Sequence, residues 1–297
     1  MKFALCVIAA VFSLSAAAQP GRFDKVEIKT TRLTDTLYML EGEGGNIGVS
    51  AGDDGVFLID DQFAPLTARI LAAITAISDK PVRFLLNTHW HFDHTGGNEN
   101  LGKAGVVIVA QDNVRRRLSG KTAIEFFKSA YGPSPPAALP VITFNDTVTF
   151  HLNGDEATAM HVANAHTDGD SIIHFRNANV VHMGDTYFNG LYPFIDVGTN
   201  GSVRGVIAAA DRVLAMTDDV TQIIPGHGPL SNKRELRAYR DMLAAVSAKI
   251  EAMVKAKKTL AQVLAAKPTR DYDATWGKGF LKPEQFVEIV YTSVTRR

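Results

Sequence analysis

The chain has 297 residues, 46% of them hydrophobic, and its 31 Lys and Arg balance 31 Asp and Glu, so the formal net charge is zero. That composition is ample for a core and offers neither a basic field for nucleic acid nor an acidic tail. A length of this order predicts one large domain, or a domain with an appendage.

Residues 1–18 carry one cation, Lys2, then an apolar run from Phe3 to Leu14, then Ala16-Ala17-Ala18 before Gln19. This is the pattern of a secretory signal peptide cut near Ala18, so residues 19–297 are expected in the periplasm or secreted. The one cysteine, Cys6, falls inside that segment. A mature chain without thiol has no disulfide and no thiolate ligand, and any metal must be held by nitrogen and oxygen. No later apolar stretch is long enough for a membrane helix.

From residue 26 to 61 short apolar runs alternate with turn formers: 37–40, 47–49 and 56–59, separated by Gly42-Glu43-Gly44-Gly45-Asn46 and by Gly52-Asp53-Asp54-Gly55. The pattern predicts an antiparallel meander. Without a following helix or P-loop lysine, the glycines at 42–45 read as a hairpin turn rather than a phosphate cradle. Pro65 opens a helix with Leu66, Ile70, Ile74 and Ile77 on one face, and Lys80-Pro81 ends it before a strand at 82–86.

That strand runs into Thr88-His89-Trp90-His91-Phe92-Asp93-His94-Thr95-Gly96-Gly97-Asn98. Three imidazoles and a carboxylate crowd six positions there, more titratable groups than packing has any use for. Neutral imidazole suits zinc, and a carboxylate can hold a second ion or handle protons.

Beyond it come a strand at 106–109 and a helix at 112–118, whose Arg115, Arg116 and Arg117 point different ways and read as a solvated face. Pro133, Pro135, Pro136 and Pro140 then exclude regular structure over 131–140, which is either an extended linker or a flap. Strands are predicted at 141–144, 148–152 and 157–162, with Asn153-Gly154 as a hairpin signal. The last of these leads into Asn164-Ala165-His166-Thr167-Asp168. Strands at 172–175 and 180–183 follow, the second ending on Gly184-Asp185. Ser202 begins a helix, and a strand at 222–224 ends on Pro225-Gly226-His227-Gly228. Asn232 and Glu235 form a capping box for a long helix with Leu236, Tyr239, Leu243, Val246, Ile250 and Met253 as its apolar stripe. Further helices follow Thr259 and Pro283.

Four strand ends thus deliver His or Asp, at 89–94, 166, 185 and 227. This arrangement resembles the metallo-β-lactamase superfamily over residues 26–239. The resemblance implies an α/β fold, the αβ/βα sandwich of two mixed sheets with helices outside, here with extra C-terminal helices over about 240–297. It also implies a dinuclear centre. His89, His91 and His166 would hold one ion, Asp93, His94 and His227 a second, and Asp185 would bridge. Zinc is the expected metal, with iron and manganese left open. His151, His161, His174 and His182 match no ligand position and read as structural, while Asp60 and Asp61 read as groups that orient the ligands.

The reaction class implied is hydrolysis of a small-molecule substrate by hydroxide shared between the two ions, with Asp93 able to pass its proton. A site of His and Asp alone resembles glyoxalase-II-like thioesterases, lactonases and the lactamases without a thiolate ligand. A β-lactam, a lactone and a thioester therefore all stay open as substrates, and a β-lactamase is one specific alternative. Pro225-Gly226-His227-Gly228 departs from the Gly-His-Glu of glyoxalase II, and Phe188 stands where lactonases have Tyr. Trp90, Phe92, Phe63, Tyr187, Phe188, Tyr192 and Phe194 are candidates to wall an apolar pocket or to fill the core. A diiron oxidoreductase on the same scaffold is the alternative of another class. It is disfavoured because flavodiiron members carry Glu where this chain has His91. The oligomeric state is not legible.

Overall fold

The computed structural model describes residues 21–296; the expected signal segment and Cys6 lie outside the described residues. Four strands open the fold: β1 (Lys29–Arg32), β2 (Leu37–Glu41), β3 (Ile47–Gly52) and β4 (Gly55–Ile59), each antiparallel to the one before. This is the expected meander. β4 reads as a continuous apolar run over Val56 to Ile59 because both of its faces are covered, and β3 is likewise buried from Ile47 to Ala51. Helix α1 (Thr67–Thr75) then returns the chain to β5 (Val82–Asn87), parallel to β4. A single turn, α2 (Phe92–Thr95), and a short α3 (Asn98–Lys103) lead to β6 (Val107–Gln111) and α4 (Asp112–Ser119). A separate hairpin of β7 (Thr122–Ile124) and β8 (Ser129–Tyr131) precedes β9 (Ile142–Phe144), which completes a seven-stranded sheet in the order β1-β2-β3-β4-β5-β6-β9.

The second sheet takes its six strands in chain order: β10 (Thr147–Leu152), β11 (Asp155–His161), β12 (Ser171–Phe175), β13 (Val180–His182), β14 (Gln222–Ile224) and β15 (Ser231–Asn232). Asn153 and Gly154 join β10 to β11 with positive φ at both (54° and 74°), the backbone that a tight two-residue hairpin demands. Helix α5 (Val203–Met216) carries the chain from β13 to the parallel β14. After β15 come α6 (Lys233–Lys255), α7 (Leu260–Ala265), α8 (Asp273–Trp276) and α9 (Pro283–Thr295).

The sheets pack face to face. Leu37, Met39, Phe57, Ile59 and Leu86 of the first meet Ala157, Ala159, Ile173, Phe175 and Ile224 of the second. On the outer face of the first sheet, Leu58, Leu85 and Ile108 are covered by Leu66, Ile70 and Ile74 of the α1 region and by Leu101 of α3. On the outer face of the second, Ile172, Val181 and Ile223 are covered by α5, α6 and α9. Each large side chain taken out of water in this way stabilises the fold by roughly 1.5–3 kcal/mol.

Strand direction locates the site. β4 and β5 are parallel, β13 and β14 are parallel, and β11 runs with β13 because both are antiparallel to β12. Their carboxyl ends, at Ile59, Asn87, His161, His182 and Ile224, therefore release the chain along one edge of the sandwich.

Two expectations are corrected. Residues 131–140 are neither wholly irregular nor a free linker or flap: Tyr131 ends β8, and a single turn at Pro136–Ala138 packs against α3, where Asn98 donates to the carbonyl of Ala138 (2.9 Å). A methyl group at Gly102 would meet the carbonyl oxygen of Ala137 at 1.9 Å, so the close approach requires glycine there. The capping box at α6 is half formed. Asn232 accepts the Glu235 amide (3.1 Å), but the Glu235 carboxylate turns to Ser231 and Asn189.

Candidate metal centre

The loop after β5 tightens into α2, whose first turn His91 caps with extended backbone (φ −66°, ψ 147°) while its carbonyl accepts the amides of His94 and Thr95. That turn aims His89, His91, Asp93 and His94 to one side. The loops after β11, β13 and β14 bring His166, Asp185 and His227 to meet them.

Two groups result, His89, His91, His166 with Asp185 and Asp93, His94, His227 with Asp185, the ligand atoms of each lying within 4.8 Å of one another. The seven residues singled out from sequence are thus brought together. Asp185 lies between the groups: its Oδ2 is 3.8 Å from His89 Nε2, 3.5 Å from His166 Nε2 and 3.4 Å from His227 Nε2, and its Oδ1 is 3.0 Å from His94 Nε2. The Asp93 carboxylate stands 3.2 Å from His227 Nε2 and is 28% exposed, the most open of these side chains.

The outward nitrogens of His89, His91, His94 and His166 are engaged, which fixes their tautomers. His94 Nδ1 donates to Asp60 Oδ2 (2.7 Å) and His166 Nδ1 to the carbonyl of Phe194 (2.8 Å). His91 Nε2 donates to Asp196 Oδ2 (3.2 Å), and Asp196 also accepts from the Thr199 hydroxyl (2.7 Å). His89 Nδ1 faces the Thr88 hydroxyl (3.0 Å), which donates to Asp60 (2.7 Å). Asp60 accepts the Thr88 amide as well (2.7 Å), and it reaches all three donors from a left-handed backbone (φ 64°). Such a conformation costs a non-glycine residue about 1–2 kcal/mol and persists only where its surroundings over-determine it.

The inward atoms converge on one another. His89 Nε2 is buried without a hydrogen-bond partner. Imidazole nitrogens face one another at 2.9 Å (His91 Nδ1 and His166 Nε2) and 3.4 Å (His94 and His227 Nε2). Converging lone pairs repel unless a proton or a cation lies between them, and a set of five imidazoles and two carboxylates suits a pair of divalent ions.

The titration of these groups agrees. Burial holds His89 well below the usual imidazole range and lowers His166 to about 4, so both are neutral and fit to ligate. Burial also pushes His94 and His227 down, but the carboxylates of Asp185 and Asp93 outweigh it, raising His94 well above its ordinary value and His227 to about 9. At Asp93 and Asp185 burial pushes upward, and the neighbouring imidazoles win, leaving both below the usual carboxylate range. Cations binding here would displace protons from His94 and His227, so affinity falls with acidity.

Several functional groups escaped the sequence reading. Asp196 lies in a loop with no periodicity, and Asp196-Val197-Gly198-Thr199 signals a local turn and nothing more. Asn46 donates to the carbonyls of Pro225 and Gly228 (2.9 Å each) and so staples the His227 loop to the first sheet. The neighbouring glycines have a reason beyond the hairpin, because a methyl group at Gly45 would meet His94 Cε1 at 2.0 Å. Of the histidines read as structural, His182 bridges the sheets, donating from Nε2 to the carbonyl of Asn46 (3.1 Å) and accepting the Gly184 amide at Nδ1 (3.2 Å).

The centre opens into a cavity of about 710 Å³ lined by Phe63, Phe92, Phe188 and Phe194, four of the seven aromatics considered from sequence. Trp90, Tyr187 and Tyr192 are instead buried in the core. The cavity also takes Phe127 and Tyr131 from the β7–β8 hairpin and Phe280 from the loop before α9.

Comparison with known proteins agrees with this geometry. The sequence profile of the Metallo-beta-lactamase superfamily matches residues 40–227. Over 148 residues the chain is 30% identical to a hydroxyacylglutathione hydrolase of Gloeobacter violaceus, covering 46% of this chain and 50% of that one. Over 199 residues it is 24% identical to the 2,4-dinitroanisole O-demethylase subunit alpha of Nocardioides sp., covering 66% and 56%. The chain therefore spans about half the length of these curated relatives. Among solved structures, a metallo-beta-lactamase from Pontibacter korlensis superposes with a TM-score of 0.60 at 18% identity, over 73% of this chain and 99% of that one. With the profile match covering well over half of its length, the chain belongs to the metallo-beta-lactamase superfamily.

Proposed function

We propose that this protein is an exported, metal-dependent hydrolase that cleaves an acyl-type bond of a small molecule, a β-lactam, lactone or thioester. The observation that carries the reading is the pair of convergent ligand sets sharing Asp185, with the buried His89 Nε2 left without a hydrogen-bond partner. His89, His91 and His166 would hold one ion, Asp93, His94 and His227 a second, and Asp185 both. A pair of divalent ions, zinc by the donor set, supplies Lewis acidity and an acidified water when bound.

The chain's own groups do the rest. Asp196, Asp60, Thr88 and the Phe194 carbonyl hold the imidazoles in their tautomers. Asp93, ionised and facing the cavity, is placed to take up the proton of the attacking water and hand it on. The aromatic walls exclude bulk water from the carbonyl under attack. The similarity to a hydroxyacylglutathione hydrolase supports hydrolysis as the reaction class.

The test is metal analysis of the purified protein followed by a hydrolysis panel of β-lactams, lactones, thioesters and phosphodiesters on the zinc-loaded form. Turnover of one acyl class with two ions per chain supports the reading; tightly bound iron with redox activity and no turnover overturns it. Export is checked separately by amino-terminal sequencing of the cell-free protein, expected to begin at Gln19.

A further inference from the structure

The ligand sets account for the floor of the cavity and leave its walls unexplained. Among the described lining residues, Phe63, Phe92, Ile124, Phe127, Tyr131, Phe188, Phe194 and Phe280 make these walls apolar, and the rings cluster: Phe127 lies 4.7 Å from Phe194, and Phe92 lies 4.4 Å from Tyr131. Phe127 and Phe280 keep 43% and 53% of their surface exposed. Large apolar side chains left open at a concave site, here from two separate elements, mark a place where apolar ligand surface is buried.

The charges at the mouth argue equally. Outside the two ligand sets, the charged groups among the described lining residues are Arg22 and Glu43. They pair with each other at 3.1 Å, and the Arg22 guanidinium also lies over the rings of Phe23 (4.9 Å) and Phe63 (4.8 Å). The pair is neutral as a whole, so the mouth offers no net positive charge to a carboxylate or phosphate carried on a substrate. Burying such an anion against seven aromatic rings without a partner carries a large desolvation cost.

Resting on the hydrolase reading above, we propose that the substrate is an uncharged, apolar carboxylic ester, open or cyclic, whose acyl chain is buried against Phe127 and Phe280. Hydrolysis consumes one water. Its oxygen bonds to the acyl carbon as the bond to the alcohol oxygen breaks, one proton goes to the departing alkoxide, and the other leaves when the product acid ionises.

The test uses matched probes on the zinc-loaded full chain: 4-nitrophenyl octanoate, 4-nitrophenyl acetate, and the mono-4-nitrophenyl ester of suberic acid, which has the octanoate length with a carboxylate at its far end. The octanoate is expected to exceed the suberate monoester in kcat/KM by about 100-fold, the penalty for an unpaired buried carboxylate. In the double variant Phe127→Ala/Phe280→Ala its KM rises roughly tenfold as apolar contact is lost, and the preference for octanoate over acetate collapses. Both side chains are half open, so the fold is expected to survive, as thermal unfolding would verify. Comparable kcat/KM for octanoate and suberate monoester, or an unchanged octanoate preference in the double variant, would overturn the proposal. A binding arm separates this from failure of the hydrolase reading. If neither ester is cleaved, that reading falls, and calorimetry with 2-octanone against 7-oxooctanoate still decides the pocket. Preference for the neutral ketone that is lost in the double variant supports the proposal, and equal binding of both ketones sinks it.

Discussion

His94 hands its Nδ1 proton to Asp60 across 2.7 Å, and neither side chain has any exposure to solvent. The same carboxylate receives the amide and hydroxyl of Thr88, whose oxygen faces His89. One aspartate in a left-handed conformation thus orients an imidazole in each ligand set.

Replacing Asp60 with Asn keeps the shape but presents an amide where His94 and Thr88 need acceptors. Loss of an orienting partner of this kind weakens metal binding roughly 10- to 100-fold. Titration against a competing chelator should show both ions affected, because both sets contain a ring held through Asp60. Weakening confined to one ion would refute the shared role.

His91 contributes to one set alone, and its outward nitrogen is held by Asp196. His91→Ala is expected to abolish hydrolysis and lower metal content while the fold survives, since six ligand residues remain. Normal turnover by the variant would remove His91 from the site.

Gly45 tests how tightly the first sheet presses on the centre. A Cβ there would lie 2.0 Å from His94 Cε1 and 2.5 Å from both ring nitrogens. Gly45→Ala must displace the ring, at a cost of roughly 1–3 kcal/mol in stability for an overpacked site. Stoichiometry by mass spectrometry under native conditions should fall from two ions to one, the ion of the Asp93, His94 and His227 set being the one lost.

His182 gives a pH signature independent of catalysis. Burial lowers its pKa to about 4, and both ring nitrogens are satisfied only in the neutral form. The unfolded chain takes up this proton near about 6.5, the folded chain only near about 4. Its contribution is therefore complete above that unfolded value and is lost as pH falls towards the folded one. Urea unfolding of metal-free protein at pH 7 and pH 5 should show His182→Gln losing less stability over the interval than the native chain, by on the order of 1–2 kcal/mol. Parallel losses in the two proteins would show that His182 does not titrate this way.

Much of this was legible in the sequence, for physical reasons. A strand covered on both faces, such as β4, leaves an unbroken apolar run, and a ligand-crowded loop after β5 has no packing explanation. The hairpin that walls the cavity was not legible: Ala123 and Ala130 are both exposed, and its turn uses Lys128 at φ 52° where glycine or asparagine would have announced it. Asp196 left no trace either, since an ordinary loop aspartate becomes an anchor only when folding carries it 105 residues along the chain to His91. The prolines over 131–140 kept the chain out of long regular elements, yet did not reveal that β8 runs to Tyr131 or that the segment docks on α3.

The ligands are divided between the two halves of the sandwich. His89, His91, Asp93 and His94 follow a strand of the first sheet, and His166, Asp185 and His227 follow strands of the second. Ions seated among them would act as a clasp across the seam, and the native state would gain by mass action about 2.7 kcal/mol at a hundredfold excess of free ion over its dissociation constant. The melting temperature would then track the free-ion level around the protein, and a chelator that silences the centre would also loosen the scaffold that built it.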